Sequence, residues 1–390
     1  MFTKERIGLI LGPLTFILIQ FIPIYDLSPE GKNVLATAVW MAIWWVLESV
    51  DIAVTALLPI VLFPLTESLS IAETTSQYGH NLVFLYLGGF IIAIAIERWN
   101  LHKRIALNII SAMGTKIDLI ILGFMISTAI LSMFISNTAT TVMMLPIAIA
   151  IIKQLDDNPS TIINENKEFG KALLLAVAYS ASIGGIATLF GTPPNMVLKG
   201  IVETNFGYKI TFIDWLMVGF PISVILLFLC WIYMTRKAYN FAGRDFSLGK
   251  NEITSLKKGL GKISVEEKRV AIIFILTALC WIFRSKLELI LPGIDDTVIA
   301  ITFGLVLFIV PTKNRQRALI TWREAVTLPW GVIILFGGGM ALAKGFVDSG
   351  LSNWFGNNLS ALQGLPVILI ILSIVAAVNF LTEMTSNLAT

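Results

Sequence analysis

The sequence predicts an all-α protein that crosses a membrane many times. Hydrophobic residues account for 56% of its 390 residues and charged residues for only 14%, whereas soluble domains carry roughly 25% charged residues. Apolar runs of roughly 20 residues, the length of a helix that spans a bilayer, recur along the chain. Lys and Arg cluster in the segments between alternate runs, which is the charge distribution of a multi-pass membrane protein.

The apolar runs define the predicted elements in order. The first half of the chain has spans at 7–25, 34–49, 52–66 and 81–97, a segment at 98–115, a hairpin at 117–152, a broken span at 169–204 and a span at 212–235. A polar linker at 236–267 is followed by spans at 268–287, 294–311 and 327–346, a segment at 351–362 and an apolar arm at 366–385. Because the segment 98–115 mixes Trp99 and basic residues with aliphatic ones, it is predicted to be a helix in the membrane interface rather than a plain loop.

Charge and composition set the topology and exclude several classes of protein. With the N-terminus in the cytoplasm, most of the 28 Lys and Arg fall on the cytoplasmic side. We therefore expect a multi-pass plasma-membrane protein, such as one of the bacterial inner membrane.

The first run has no small-residue cleavage site after it, which favours a span over a signal peptide. Cys230 and Cys280 lie in apolar runs, and His80 and His102 are the only histidines, so neither a disulfide framework nor a histidine metal cluster is predicted.

The predicted hairpin contains a polar tip, Ser136-Asn137-Thr138, between two apolar arms. The second arm, Ala139 to Ile152, reaches only about 21 Å as a helix, which is short of the ~30 Å hydrocarbon core. The tip is therefore predicted to stop near the middle of the membrane. Non-helical backbone at that depth is stable only where protein or a water-filled cavity surrounds it. An ordinary tight turn between two packed helices is the alternative.

A second polar break interrupts the span at 169–204. It runs from Ser182 to Asn195 and contains Pro193 and Pro194, which have no N–H and clash with a continuing helix. Carbonyl groups around 187–191 are therefore left without helical partners, and such groups suit a hard cation such as sodium. The half-helix that begins near Asn195 points its N-terminus at the same place. The positive end of the helix dipole and the free N–H groups there suit an anion. A proline kink with only a packing role is the alternative.

The chain contains an internal repeat. Residues 82–140 align without a gap on 332–390: Gly88-Gly89 falls on Gly338-Gly339, and Ser136-Asn137-Thr-Ala-Thr falls on Ser386-Asn387-Leu-Ala-Thr. Basic residues flank the first hairpin, whereas Asp348 is the only charged residue at 347–365. The two copies are therefore expected in opposite orientations. Inverted repeats with broken helices at the membrane midplane are typical of secondary transporters, whereas a channel does not need two hairpins that meet at a closed site.

Four motifs together resemble a known family. They are Ser136-Asn137-Thr138, the break from Ser182 to Asn195, the run from Leu328 to Gly339, and Thr382-Glu-Met-Thr-Ser-Asn. They resemble the divalent anion:sodium symporters, which carry dicarboxylates, citrate or sulfate, and the resemblance runs the whole length of the chain. It implies an inverted-repeat fold of the elevator type, with re-entrant helical hairpins and a broken helix, in which a transport domain slides against a scaffold domain that forms a homodimer.

The resemblance also implies a domain organisation. Its parts are a scaffold with an interfacial helix at 1–115, half of the transport domain at 116–240, a cytoplasmic linker at 241–267, scaffold spans with a second interfacial helix at 268–365, and the first arm and tip of the second hairpin at 366–390. The segments 98–115 and 351–362 would be the connecting arms.

Ligand sites follow from the same resemblance. It implies a first sodium site at Ser132, Ser136, Asn137 and the carbonyl of Gly191, and a second at Thr382, the carbonyl of Thr385, and Asn387. The residues implied to contact the substrate are Ser136, Asn137, Thr138, Thr192, Pro193, Ser386 and Asn387.

The expected function is sodium-coupled symport of divalent organic anions such as succinate, malate and fumarate. Neither tip contains Lys or Arg, so bound sodium must supply the positive charge that the anion requires, and sodium is expected to bind first. Sulfate or tricarboxylate symport and sodium-independent dicarboxylate exchange are the alternatives. The sequence contains no Gly-x-Ser-x-Gly and no His-Glu-x-x-His motif, so no enzyme, no organic cofactor and no nucleic-acid partner is predicted.

The sequence departs from the family pattern in two places. Leu388 stands where the first tip has a threonine, which removes one hydroxyl from the implied substrate site. The chain also ends at the second tip, so the last part of the second repeat is expected to be missing. On that expectation, the 390 residues by themselves would not transport succinate.

Overall fold

The computed structural model describes residues 4–156, 163–239, 241, 247–358 and 366–384. The first half contains α1 (Lys4–Phe21), α2 (Pro29–Val46), α3 (Ile52–Thr55), α4 (Leu58–Leu65), α5 (Ile71–Tyr78), α6 (Asn81–Arg98), α7 (Leu101–Ala112), α8 (Ile117–Ser132), α9 (Asn137–Asp156) and α10 (Ile163–Ile186). The second half contains α11 (Pro193–Phe206), α12 (Phe212–Ile232), a π-helical turn (Tyr233–Ala238), α13 (Ser247–Gly259), α14 (Val265–Ile282), α15 (Arg284–Leu287), α16 (Asp296–Ile309), α17 (Trp322–Ala325), α18 (Trp330–Asp348), α19 (Leu351–Asn358) and α20 (Val367–Met384). The prediction of an all-α chain is confirmed for these residues.

The helices fall into two length classes relative to a membrane. Within the described ranges, four helices are long and apolar enough to cross one: Ile71–Arg98, Lys167–Ile186, Phe212–Ala238 and Trp330–Asp348. Shorter apolar helices cover Ile52–Leu65, Ile117–Ser132, Asn137–Lys153, Asp296–Ile309 and Val367–Phe380. Both hairpin arms, α8 and the apolar part of α9, belong to the shorter class. At about 1.5 Å per residue these apolar parts reach about 25 Å, so the second arm is longer than the predicted length of about 21 Å.

Two features near the start of the chain differ from the prediction. The predicted span 52–66 is divided into α3 and α4 by a turn at Ala56 and Leu57, because Pro59 stands at the start of α4 and the Ala56 carbonyl accepts a hydrogen bond from the Tyr78 hydroxyl. Helix α5 was not predicted, because its sequence is polar. A reciprocal capping box nevertheless starts it: the Ser70 hydroxyl accepts from Glu73 N at 3.2 Å and the Glu73 carboxylate accepts from Ser70 N at 2.9 Å.

The predicted polar linker also contains regular structure. Helix α13 lies within it and packs against α7 and α9, and α14 begins at Val265, just before the linker was expected to end. Ile253 of α13 is buried, and the ammonium group of Lys257 donates to the Ser111 hydroxyl of α7 at 3.3 Å. Helix α13 therefore connects α7, the predicted connecting arm, to α9, the second arm of the hairpin, by packing against both.

The chain divides into two compact units. The first unit comprises Met1–Phe84, Val197–Lys209 and Pro329–Thr390, and the second comprises Leu85–Met196 and Ile210–Leu328. Helix α18 lies in the first unit and packs against α2, α3, α4 and α5. The centre of this packing is a pair of glycines: a Cβ at Gly337 would lie 2.5 Å from the Tyr78 ring, and one at Gly338 would lie 2.7 Å from the Ala56 Cβ. Such close helix contacts exclude any side chain.

Gly338→Ala is expected to destabilise the protein by about 1–3 kcal/mol, the usual cost of overpacking, because its Cβ would overlap the backbone of Ala56. Gly339→Ala is the matched control on the next residue of the same helix. Nothing lies within 4 Å of a Cβ at Gly339, so this variant should be neutral or slightly stabilised by its better helix propensity. Thermal unfolding in detergent micelles compares the two, and an equal loss in both variants would contradict the packing shown here.

In the second unit, the predicted arm helix α7 is held from two sides. A Cβ at Gly123 of α8 would lie 3.1 Å from the Ile110 Cα, so α7 and α8 pack closely. On another side, the Arg104 guanidinium donates to the Glu267 carboxylate at 3.0 and 3.1 Å and to the carbonyls of Gly261 and Leu260 at 3.1 and 3.3 Å. Burial raises the pKa of Glu267, but the hydrogen bonds from Arg104 and Ser264 lower it by a larger amount. The pKa of Glu267 therefore lies below the ordinary value. The charged pair therefore fixes α7 to the start of α14.

A second ion-pair cluster lies at the end of α6. The Glu324 carboxylate accepts from Arg98 Nε at 2.6 Å and from Arg317 Nη2 at 2.5 Å, and both guanidinium groups lie within 5.8 Å of the centroid of the Trp99 ring. Burial raises the pKa of Glu324, but the bonds from Arg317, Arg98 and Thr321 outweigh it and lower the pKa to about 2. The carboxylate therefore stays ionised at neutral pH and holds the two cations together.

Candidate functional site

The hairpin tip and the broken span meet in the second unit. Helix α8 ends at Ser132, α9 begins at Asn137, and α10 ends at Ile186, close to both. Two glycines of α10 allow this approach: a Cβ at Gly184 would lie 2.5 Å from the Ala129 Cα, and one at Gly185 would lie 3.2 Å from the Asn137 Cγ. A Cβ at Gly191, between α10 and α11, would lie 2.6 Å from the Gly185 Cα. Glycine is therefore required at each of these crossings.

Oxygen atoms converge on the Asn137 amide at this meeting point. One terminal atom of the amide lies 2.7 Å from Ser132 Oγ, 3.1 Å from the Ala181 carbonyl oxygen and 3.2 Å from the Gly191 carbonyl oxygen. The Ser132 hydroxyl in turn donates to the Ala181 carbonyl at 2.7 Å. The hydrogen-bond network is satisfied when the amide nitrogen occupies this position and donates to Ser132 Oγ and Gly191 O.

The same geometry can serve a cation. If the amide of Asn137 rotates by half a turn, its oxygen joins Ser132 Oγ and the carbonyls of Ala181 and Gly191. In that orientation the Ser132 hydroxyl donates to the amide oxygen at 2.7 Å, and the two carbonyl oxygens face it at 3.1 and 3.2 Å as acceptors. Carbonyl and hydroxyl oxygens are the ligands that hard cations prefer. The cluster therefore offers the kind of oxygen donors that a sodium site requires.

Asn195 organises the break itself. Its amide nitrogen donates to the carbonyls of Gly185 and Thr188 at 2.9 and 2.8 Å, and the side chain is only 8% exposed. The Thr188 hydroxyl donates to the Met133 carbonyl at the hairpin turn. Asn195 therefore satisfies two carbonyls of the break, of which only that of Thr188 lies in the predicted range 187–191. The Gly191 carbonyl is turned to Asn137 instead.

The sequence-predicted site residues differ in how far they are buried from solvent. Ser132 and Gly191 are buried, whereas Ser136, Asn137, Thr192 and Pro193 are half-buried and Thr138 is exposed. The Ser136 hydroxyl accepts from Ala139 N at 3.4 Å, which caps the start of α9. The structure thus brings Ser132, Asn137 and Gly191 into one cluster, and Thr138 lies on its exposed side.

The second predicted site lies almost entirely outside the described residues. Thr382 is part of α20 and donates to the Asn379 carbonyl at 2.8 Å. Thr385, Ser386, Asn387 and Leu388 lie outside the described ranges. The second sodium site and its share of the substrate site therefore stay predictions.

Sequence reasoning missed one member of the cluster at Asn137 and one side chain that contacts the break. The Ala181 carbonyl gives no sequence signal, because any residue carries one. Tyr86 was missed because it lies in an apolar run. Its hydroxyl donates to the Thr192 carbonyl at 3.3 Å. Asn195 belonged to the motif, but its bonds to two carbonyls could not be inferred from spacing alone.

Comparison with known proteins identifies relatives along the whole chain. Residues 4–390 match the family described as the sodium:sulfate symporter transmembrane region. A sodium-dependent dicarboxylate transporter, SdcS, of Staphylococcus saprophyticus is 45% identical over 399 residues, covering 99% of this chain and 76% of the relative. The protein of the same name in Staphylococcus aureus strain USA300 is 47% identical over 394 residues, with the same coverage.

Proposed function

The chain belongs to the sodium:sulfate symporter family, and we propose that it carries a divalent organic anion across the membrane together with sodium. Membership of this family confirms the predicted resemblance and a multi-pass membrane transporter. The anion proposed follows the printed function of the relatives, which are sodium-dependent dicarboxylate transporters. C4-dicarboxylates such as succinate, malate and fumarate are the proposed substrates.

The oxygen cluster at Asn137 is the observation that carries the sodium part of the proposal. It draws two side chains from the hairpin and two carbonyls from the broken span to one point. The proposed first sodium site comprises Ser132, Ser136, Asn137 and the Gly191 carbonyl, with the Ala181 carbonyl as an added ligand. Sodium binding would rotate the Asn137 amide and join the two broken elements.

The proposed anion site lies on the exposed side of this cluster. Ser136, Thr138 and Thr192 offer hydroxyl donors there, and α11 starts at Pro193 with its N-terminal dipole nearby. Neither this tip nor the break from Ser182 to Asn195 contains Lys or Arg. The proposed coupling follows, because a dianion that leaves water here requires the charge of the bound cations.

Reciprocal contacts support the proposed inverted repeat. In the second unit a Cβ at Gly88 would lie 2.7 Å from the Ala300 Cβ, and in the first unit a Cβ at Gly338 would lie 2.7 Å from the Ala56 Cβ. Gly88 and Gly338 are equivalent in the sequence repeat. Ala56 and Ala300 are each the fifth residue of an apolar segment of equal length, Ile52–Leu65 and Asp296–Ile309.

Helix capping adds to this support. Ser70 with Glu73 and Thr321 with Glu324 form capping boxes shortly before the two glycine-containing helices α6 and α18. An elevator-type movement, a cytoplasmic N-terminus, a homodimer and the domain boundaries predicted from the sequence remain part of the proposal.

The binding equilibria test the proposal directly. The unfolding temperature of the purified protein is expected to rise with sodium and not with equal concentrations of potassium. Succinate should raise it further only when sodium is present, because coupled ligands strengthen each other's binding reciprocally. Equal stabilisation by succinate in potassium would instead favour the sodium-independent exchanger, and a larger effect of sulfate or citrate would favour those substrates.

A further inference from the structure

We propose that Tyr86 and Trp281 are positioning residues of the sodium site, because they fix the two residues on either side of Gly191. The inference rests on the proposed function, in which the Gly191 carbonyl is a sodium ligand. Neither side chain reaches the cluster at Asn137. Each acts through a neighbour of Gly191: Tyr86 through Thr192 and Trp281 through Phe190.

Tyr86 holds the residue after Gly191. Its hydroxyl donates to the Thr192 carbonyl at 3.3 Å. The ring is 1% exposed and stacks on Phe90, one turn along α6, at a centroid distance of 5.2 Å. The ring is therefore fixed by its packing, and the hydroxyl provides a donor from α6 to the peptide of Thr192.

Trp281 holds the residue before Gly191. The Phe190 ring stacks on Trp281 of α14 at a centroid distance of 4.4 Å, and on its other side a Cβ at Gly89 would lie 2.9 Å from Phe190 Cδ1. Trp281 is itself fixed: it is 2% exposed, it stacks on Phe212 at 5.1 Å, and its indole N–H donates to the Asp296 carbonyl at 3.1 Å. The Phe190 ring thus occupies a slot between α6 and α14.

The two contacts together define the direction of the Gly191 carbonyl. Glycine has more backbone freedom than any other residue, so an isolated Gly191 could turn its carbonyl in many directions. With Phe190 and Thr192 both held, the intervening peptide is restricted to the orientation that faces Asn137. A ligand that is held in place before binding costs less entropy when the ion arrives.

Tyr86→Phe tests the inference, because it removes one hydroxyl and keeps the ring that stacks on Phe90. The sodium dissociation constant, fitted from the rise of the unfolding temperature with sodium concentration, is expected to increase by about two- to tenfold, the range for one neutral hydrogen bond. At a given high sodium concentration the stabilisation should therefore be smaller than in the wild type, because it grows with the logarithm of the ratio of sodium concentration to dissociation constant. Trp281→Phe, which removes the indole donor and part of the stack, should also increase the sodium dissociation constant.

Tyr179→Phe is the matched control, since Tyr179 lies on α10 with its side chain 50% exposed. Its sodium dissociation constant should equal that of the wild type. If Tyr86→Phe and Trp281→Phe lower the unfolding temperature without sodium but leave the sodium dissociation constant unchanged, the two residues have only a structural role and the inference is wrong. A wild-type protein with no response to sodium would instead refute the proposed function itself.

Discussion

Asn137→Ala is expected to abolish the stabilisation of the protein by sodium. The variant removes the side chain on which Ser132 and the carbonyls of Ala181 and Gly191 converge, so the remaining oxygens no longer enclose an ion. A ligand present at a hundred times its dissociation constant stabilises a protein by about 2.7 kcal/mol, and this contribution should disappear. The measurement is the unfolding temperature over a series of sodium concentrations at constant ionic strength.

The readout is the response to sodium and not the stability itself. Asn137→Ala also removes hydrogen bonds and therefore lowers the unfolding temperature without any ion. Thr141→Val is the matched control: Thr141 lies one turn along α9, and its hydroxyl donates only to the Asn137 carbonyl, at 2.8 Å, within the helix. It should retain the wild-type response. A full sodium response in Asn137→Ala would place the ion elsewhere.

Gly185→Ala is expected to cost both stability and the sodium response. A Cβ at this position would overlap the amide of Asn137, with the Cγ only 3.2 Å away. Either the amide leaves the oxygen cluster or α10 moves away from the hairpin. Overpacking of this kind costs about 1–3 kcal/mol. Because each way of relieving the overlap separates the ligands, succinate should also fail to stabilise the variant in sodium.

Gly170→Ala provides the same substitution on the same helix away from the site. Its Cβ would meet only the side chain of Ile152, at 3.3 Å, which can adjust by a small rotation. This variant should therefore respond to sodium and succinate like the wild type. If Gly185→Ala also kept both responses, the close crossing of α10 and the hairpin tip would have no role in ion binding.

Much of the fold could be predicted because its signals are local. The apolar runs predicted several of the described helices, such as α6, α12, α16 and α18, within a few residues of their observed ends. The same periodicity could not reveal α5, since only one buried threonine and a capping box mark that polar helix. It also could not divide 52–66, because the Tyr78 hydroxyl that bonds the Ala56 carbonyl comes from a distant segment.

The sequence by itself determined the membrane class of this protein, its family, and the side chains Ser132, Asn137 and Asn195 that mark its polar breaks. Hydropathy, proline and amide residues act on their own neighbourhood, so their meaning can be inferred from order alone. Only the tertiary structure decided that the carbonyls of Ala181 and Gly191 face Asn137 and that Tyr86 and Trp281 hold the residues around Gly191. Every residue has a carbonyl group, and its direction depends on how segments far apart in the chain pack together.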